Sequence, residues 1–346
     1  MQLKHLTSLT KGQPGILHNI SSSLLAFEYT KGSSRTNTLI FVGGLGDGLG
    51  TVDYTNDIIR AVEGTDWTVF TLILSCSYGG WGMGRLGQDT DELAACVNYI
   101  RDYKEPHFGA GKVALMGHST GSQDVMHYIN APNPRPAHPI LDQNCVPVTR
   151  PPVDGVIMQA SVSDREGILW EVQVGTERNS PAEMRDIYDR AVQGARKTFE
   201  DGVDTLVPLS LTSRIGYGST ALSSRRFLSL VSPDSPAKPA EDDYFSSDLS
   251  DARLAETFGM VGARGLLKQK LLVLYSGRDQ SVPPWVNKEG LLRRWQRAID
   301  AGGHQFWDPR SMVIPGASHA LSDPDQAEPR RILVDRVTGF LKDIQK

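Results

Sequence analysis

The sequence predicts an α/β fold: a mostly parallel central sheet with helices on both faces and a helical cap insertion. Three observations carry that prediction. Short apolar runs rich in β-branched residues recur along the chain, stretches of helical period lie between them, and one long segment, 161–268, interrupts the alternation.

The runs lie at 38–42, 67–74, 112–116, 153–159, 271–275 and 311–314. They are apolar at successive positions, the pattern of strands buried on both faces and not of a half-solvated antiparallel sheet. Between them, Leu86, Leu93, Val97 and Ile100 fall near one helical face, and Leu333, Val337, Phe340, Leu341 and Ile344 follow the helical repeat. From Ser161 to Lys268 no buried strand is visible. Helices are expected there at 182–200 and 247–267, around a Ser/Pro-rich stretch whose part 232–243 (SPDSPAKPAEDD) reads as a surface loop or a partly mobile segment. The expected division is a core of residues 1–160 and 269–346 with a cap or lid at 161–268.

Composition narrows the function classes. The 346 residues carry 36 Lys+Arg against 40 Asp+Glu, a net charge of −4, with 39% apolar residues. This suits a globular chain with a sizeable core and lacks the basic footprint of a nucleic-acid binder. No window approaches the roughly 18 apolar residues of a membrane span, and residues 1–15 hold no run of signal-peptide length, so the expected address is cytoplasmic. Cys76, Cys96 and Cys145 are widely spaced without a C-x-x-C, as in reduced, buried thiols. No H-E-x-x-H, Walker A or EF-hand spacing occurs, so no metal site is expected.

The run 112–116 leads into Gly117-His118-Ser119-Thr120-Gly121 and then into a helical stretch. That is the context in which G-x-S-x-G becomes a nucleophile elbow, a turn so sharp that small residues flank a serine exposed at the carboxyl end of the sheet. A serine of ordinary pKa needs a base, and the base needs an orienting acid. Asp279 follows the run 271–275 and His319 follows the run 311–314, so the order Ser119, Asp279, His319 is that of an α/β-hydrolase. His118 lies beside the nucleophile in the elbow's variable position and is taken as structural. His304 is the rival base, but it follows a helix and not a strand end.

Two amides are candidates for the oxyanion hole: Thr120, at the start of the elbow helix, and Leu45, in the glycine-rich loop Gly43-Gly44-Leu45-Gly46. The bland alternative for that loop is a flexible glycine turn. Gly82, Gly84 and Gly87 satisfy G-x-G-x-x-G, yet the preceding strand ends too early for the tight turn that a pyrophosphate needs. The segment is better read as a loop rimming the active site, offering Tyr78, Trp81 and Arg85 for substrate contact, with Trp81 alternatively packed beneath the loop. In the insertion, Trp170 is the candidate substrate-binding aromatic. Asp164, Glu166 and Glu171 either attract cationic substrate groups or form a solvated face.

The strings FVGGLGDGL (41–49), SCSYGGWGMGRLGQD (75–89) and LMGHSTGSQDVMHYI (115–129) are similar to those of a fungal α/β-hydrolase family of intracellular siderophore (fusarinine C) esterases. The Gln and Asp that continue the elbow are the most specific part. The resemblance implies a serine esterase that opens ornithine ester bonds in a hydroxamate siderophore through Ser119, Asp279 and His319. It implies no cofactor, with any iron belonging to the substrate. The triad alone leaves a lactonase, thioesterase or C–C hydrolase open, as well as a non-catalytic ligand receptor on the same fold.

Overall fold

Neighbouring residues of the apolar runs point to opposite faces of one sheet. Leu39, Phe41, Ala114, Met116 and Ile157 pack into one cluster, while Ile40, Val42, Leu115, Val156 and Met158 pack into another. In the computed structural model, which describes residues 12–31, 35–139, 141–142, 146–200 and 203–346, the strands are β1 (Gly15–Asn19), β2 (Leu25–Tyr29), β3 (Asn37–Val42), β4 (Trp67–Ile73), β5 (Val113–His118), β6 (Val153–Gln159), β7 (Leu267–Ser276) and β8 (Met312–Ile314). They form one 8-stranded sheet in the order β1-β2-β4-β3-β5-β6-β7-β8. From β4 to β8 every pairing is parallel. The edge strand β1 pairs antiparallel with β2, and β2 pairs antiparallel with β4. Neither is among the runs read from the sequence, because β1 exposes Ile16 and Leu17 and buries only His18, so no continuous apolar run marks it.

The helices Leu86–Phe108, Gly121–Asn130 and Lys288–Ile299 cover one face of the sheet, and Thr55–Val62 and Ala327–Ile344 cover the other. Both faces are therefore closed, as a parallel sheet requires. Among the described residues no helix is long and apolar enough to cross a membrane. Cys76 and Cys96 are free thiols, and Cys145 lies outside the described residues.

Between β6 and β7 the chain is helical, with more helices than expected. Asp164–Val174 and Ser224–Val231 are each capped by a serine, Ser163 and Ser223, whose side chain accepts an amide of the first turn. The long helix Pro181–Glu200 matches expectation. The single helix expected at 247–267 is broken into Asp251–Glu256, a 3₁₀ turn Phe258–Met260 and Val261–Arg264. Thr257 leaves helical space at φ −113° and ψ −85°, Gly265 ends the last turn at φ +66°, and Leu267 already belongs to β7. Beyond the break at Thr257, the glycines at 259, 262 and 265 disfavour one continuous helix.

The insertion's apolar residues divide into two groups. Ile168, Val172, Met184, Ile187, Leu222, Phe227 and Leu230 form a cluster of their own, which Trp81 enters from outside. Tyr244, Phe245, Leu254 and Phe258 instead join the core beneath the sheet, where Phe258 stacks on Trp295 at 5.2 Å. The stretch 232–243 is a surface loop over its middle, as expected, but its ends are anchored. Its middle is exposed, but Ser232, Asp242 and Asp243 are buried. Asp242 pairs with Arg226 at 2.5 Å and Asp243 accepts from Ser235 at 2.5 Å. Partnered in this way, acidic side chains tolerate burial.

Candidate active site

β5 hands the chain directly to the helix Gly121–Asn130, and Ser119 at the junction takes φ +54°, the left-handed region that a non-glycine enters only under constraint. The neighbouring glycines are required by close approach. A Cβ on Gly117 would stand 2.1 Å from the Gly121 carbonyl oxygen, and one on Gly121 would stand 2.5 Å from that of Val42. The Ser119 amide donates to the Gln159 carbonyl at the end of β6, 2.9 Å away, leaving Oγ to face outward from the sheet.

The loops after β7 and β8 are zipped together by backbone bonds, Gly277 N to Ile314 O at 3.0 Å and Arg278 N to Ala317 O at 2.8 Å. This zipper carries Asp279 to His319. The buried Asp279 carboxylate holds His319 Nδ1 at 2.8 Å through Oδ2 and accepts the Ser281 amide at 2.9 Å through Oδ1. His319 Nε2 lies 2.9 Å from Ser119 Oγ. Burial alone would lower the pKa of His319, but its hydrogen bond to Asp279 and the charges of Asp279, Asp164 and Asp47 outweigh it, and the net shift is upward. His118, whose ring lies 5.2 Å from that of His319, is pushed down to about 4 by burial and by His319, so it stays neutral near pH 7. His304 is exposed, stacks on Phe306 and makes no hydrogen bond to Ser119 or Asp279.

Gly44 runs against Ser119: a Cβ there would stand 2.6 Å from Ser119 Cβ. Asp47 fixes this loop, its carboxylate accepting the Gly44 amide at 2.9 Å and the Thr51 hydroxyl at 2.8 Å. Among the described residues the amides of Leu45 and Thr120 have no protein acceptor. Tyr78, expected at the substrate, has another contact as well: its amide donates to Asp47 O at 2.8 Å, its hydroxyl accepts the Leu49 amide at 2.9 Å, and its ring lies flat on Gly48. It clamps the loop while remaining half-exposed.

The other candidate contacts are held elsewhere or lie further out. Arg85 pairs with Asp142, which Arg135 also grips. Trp81 is buried against Tyr217 in the insertion's cluster, the packing alternative. Trp170 is half-buried in the helix Asp164–Val174. The glycines of the G-x-G-x-x-G string serve packing, since a Cβ on Gly82 would stand 1.9 Å from the Ala221 carbonyl oxygen. Asp164 and Glu166 do not form a solvated face. Asp164 accepts from Gln123 at 2.8 Å and is raised to about 6 by burial, while Glu166 accepts the Ser247 amide and hydroxyl at 2.9 and 2.6 Å.

The Gln-Asp pair after the elbow thus acquires a physical role. Gln123 ties the elbow helix to Asp164 in the insertion. Asp124 faces Asp89 beside Arg226, and burial raises both carboxyls above their usual range while Arg226 opposes the shift. Sequence motifs did not single out Gln159, Asp47 or Arg226. Gln159 and Arg226 act through partners distant in the chain, whereas Asp47 braces its own loop through Gly44 and Thr51, where only the surrounding glycines hinted at a shape. Among the described residues no group of three or more His, Cys, Asp or Glu side chains is placed to hold a metal ion.

A mostly parallel sheet with an elbow serine at its carboxyl edge defines an α/β-hydrolase. Within that class the chain belongs to the family described as "Protein of unknown function (DUF1749)", which matches residues 2–342. It is 51% identical to "Fusarinine C esterase sidJ" of Aspergillus fumigatus over 97% of both chains. It is 53% identical to "Esterase AN6793" of Emericella nidulans, over 97% of this chain and 94% of that one. Among solved structures, "Siderophore hydrolase EstB from Aspergillus fumigatus" superposes with a TM-score of 0.87 at 50% identity, covering 98% of this chain and 99% of that one. The resemblance read from three strings therefore extends over nearly the whole sequence.

Proposed function

We propose that the protein is a serine carboxylester hydrolase that opens the ester bonds of a fusarinine-type hydroxamate siderophore. One observation carries the chemistry: the unbroken hydrogen-bond chain from Asp279 through His319 to Ser119. The substrate class is supported by the 51% identity to a fusarinine C esterase and by the siderophore hydrolase of similar structure.

In this proposal Ser119 Oγ attacks the ester carbonyl while His319 Nε2 takes its proton. Asp279 keeps the other proton on Nδ1 and balances the imidazolium. The Leu45 and Thr120 amides receive the oxyanion, which is consistent with their lack of a protein acceptor. The alcohol leaves with the proton from His319, and a water activated by the same imidazole then releases the acid from Ser119. Residues 161–268 act as a cap, and the insertion's separate apolar cluster supports this. A cytoplasmic site of action is part of the proposal and is supported by the free thiols of Cys76 and Cys96.

Mass spectrometry of fusarinine C, its ferric complex and a small aryl ester incubated with the wild type and with Ser119→Ala tests this function. The wild type is expected to release hydroxy-acid units from the siderophore, and the variant to be at least about 10⁴-fold slower on every ester. Aryl ester cleavage with the siderophore left intact would remove the substrate assignment and keep the reaction class.

A further inference from the structure

We propose that Gln159 is a positioning residue that holds the nucleophile and the base to one support at the end of β6. The inference rests on the triad proposed above. Gln159 is fully buried, and no sequence motif marks it. Its carbonyl oxygen accepts the Ser119 amide at 2.9 Å and the Ser122 hydroxyl at 3.2 Å. Its side-chain amide donates to the carbonyl of His319 at 3.3 Å and to the Ser276 hydroxyl at 3.1 Å. Its Oε1 accepts from the Tyr54 hydroxyl at 3.0 Å and from His118 Nδ1 at 2.5 Å.

A glutamine side chain offers two donors and two acceptor positions, and here all four are taken. The amide cannot be flipped. The His319 carbonyl only accepts, so it must face the NH₂ group, which leaves Oε1 for Tyr54 and His118. That orientation in turn puts the proton of the neutral His118 on Nδ1. The partners come from four places in the fold: the approach to the helix Thr55–Val62, the end of β5, the end of β7 and the loop after β8. One side chain thus fastens the loop bearing the base to the strand whose carbonyl fastens the nucleophile. The 2.9 Å contact between Ser119 and His319 is then a property of a single rigid unit. Displacement of a reacting group by about an ångström lowers rates by about a hundredfold, so this support bears on turnover more than on binding.

The test measures kcat and KM on a small aryl ester for wild type, Gln159→Met and Gln159→Glu, per active site titrated with a fluorophosphonate, with Ser119→Ala alongside, measured per mole of protein. Methionine has a similar shape and makes none of the four side-chain bonds. Glutamate keeps the acceptors for Tyr54 and His118 but has at most one proton for Ser276 and His319. The expected order of kcat is wild type, then glutamate, then methionine, with methionine about 10- to 100-fold down and KM within about twofold throughout. Wild-type kcat per titrated site in Gln159→Met, whatever its melting temperature, overturns the proposal. Should neither variant fold, Tyr54→Phe and Ser276→Ala each remove one anchor of the amide and are expected to lower kcat about three- to tenfold. Wild-type kcat in both overturns it equally. Ser119→Ala separates the two levels. Turnover retained there sinks the triad itself, whereas an inactive Ser119→Ala beside a fully active Gln159→Met sinks only the positioning role.

Discussion

The carboxyl edge of the sheet and the insertion above it are held in place by opposite means. At the sheet edge the groups proposed for chemistry sit directly beyond strand ends, and main-chain bonds align them: Ser119 to β6, and the Asp279 loop to the His319 loop. The insertion is held mainly by side chains, with a main-chain bond from Ser223 N to Gly82 O at 2.9 Å beside them. Arg226 grips Asp242, Arg165 grips Asp248 at 2.7 and 2.9 Å, Glu166 holds Ser247, and Gln123 reaches Asp164. Reactive geometry therefore follows from chain direction, while the placement of the insertion follows from partly buried polar pairs. The two regions should fail differently: the first in rate with stability kept, the second in stability and selectivity.

The largest expected effect is at the sheet edge. His319→Ala should lower kcat by about 10³- to 10⁶-fold and shift the melting temperature by no more than about 2 °C, since triad members act as a unit. Steady-state kinetics and a thermal melt check both halves. A matching loss in His304→Ala, where less than about a twofold change is expected, would move the base and break the comparison.

In the insertion, Arg226→Met should destabilise the fold by about 3 to 5 kcal/mol, because it leaves Asp242 buried without its cation beside the Asp89 and Asp124 carboxyls. Urea unfolding measures this, and a loss below about 1 kcal/mol would mean that apolar packing alone seats the insertion. Trp170→Ala is expected to impair a bulky siderophore ester about tenfold more than a small aryl ester. Equal losses on both would mean that this helix supports the fold and does not select the ligand.

A smaller effect sharpens the electrostatics of the site. In its proposed role as base His319 must be neutral, and its pKa is raised by Asp279 with help from Asp164 and Asp47. The acid limb of kcat/KM should therefore lie above the ordinary histidine value of about 6.5, with activity falling as pH drops through it. Asp47→Asn removes one of the raising charges and should move that limb to lower pH by a fraction of a unit. An upward move would contradict the sign of the field.

The same contrast explains what could be read from the sequence. Parallel strands buried on both faces leave continuous apolar runs, so β3 to β8 and the loops beyond them were visible, and the triad candidates with them. β1 and β2 were not, because a half-solvated edge needs no such run. Ser119, Asp279 and His319 each stand in a local string whose geometry implies their position. Arg226, Asp242 and Gln159 have no such string, because each is defined by partners far away along the chain. The anchored ends of the stretch 232–243 were hidden for the same reason. Its serines and aspartates look solvated until Arg226 and the surrounding hydroxyls are brought to them.

The most direct test of the triad is covalent labelling with a fluorophosphonate, followed by intact-mass and peptide mass spectrometry. A single adduct is expected, on the peptide containing Ser119, with labelling abolished in Ser119→Ala and strongly slowed in His319→Ala. An unlabelled wild type, an adduct on another residue, or equal labelling of Ser119→Ala would contradict the account.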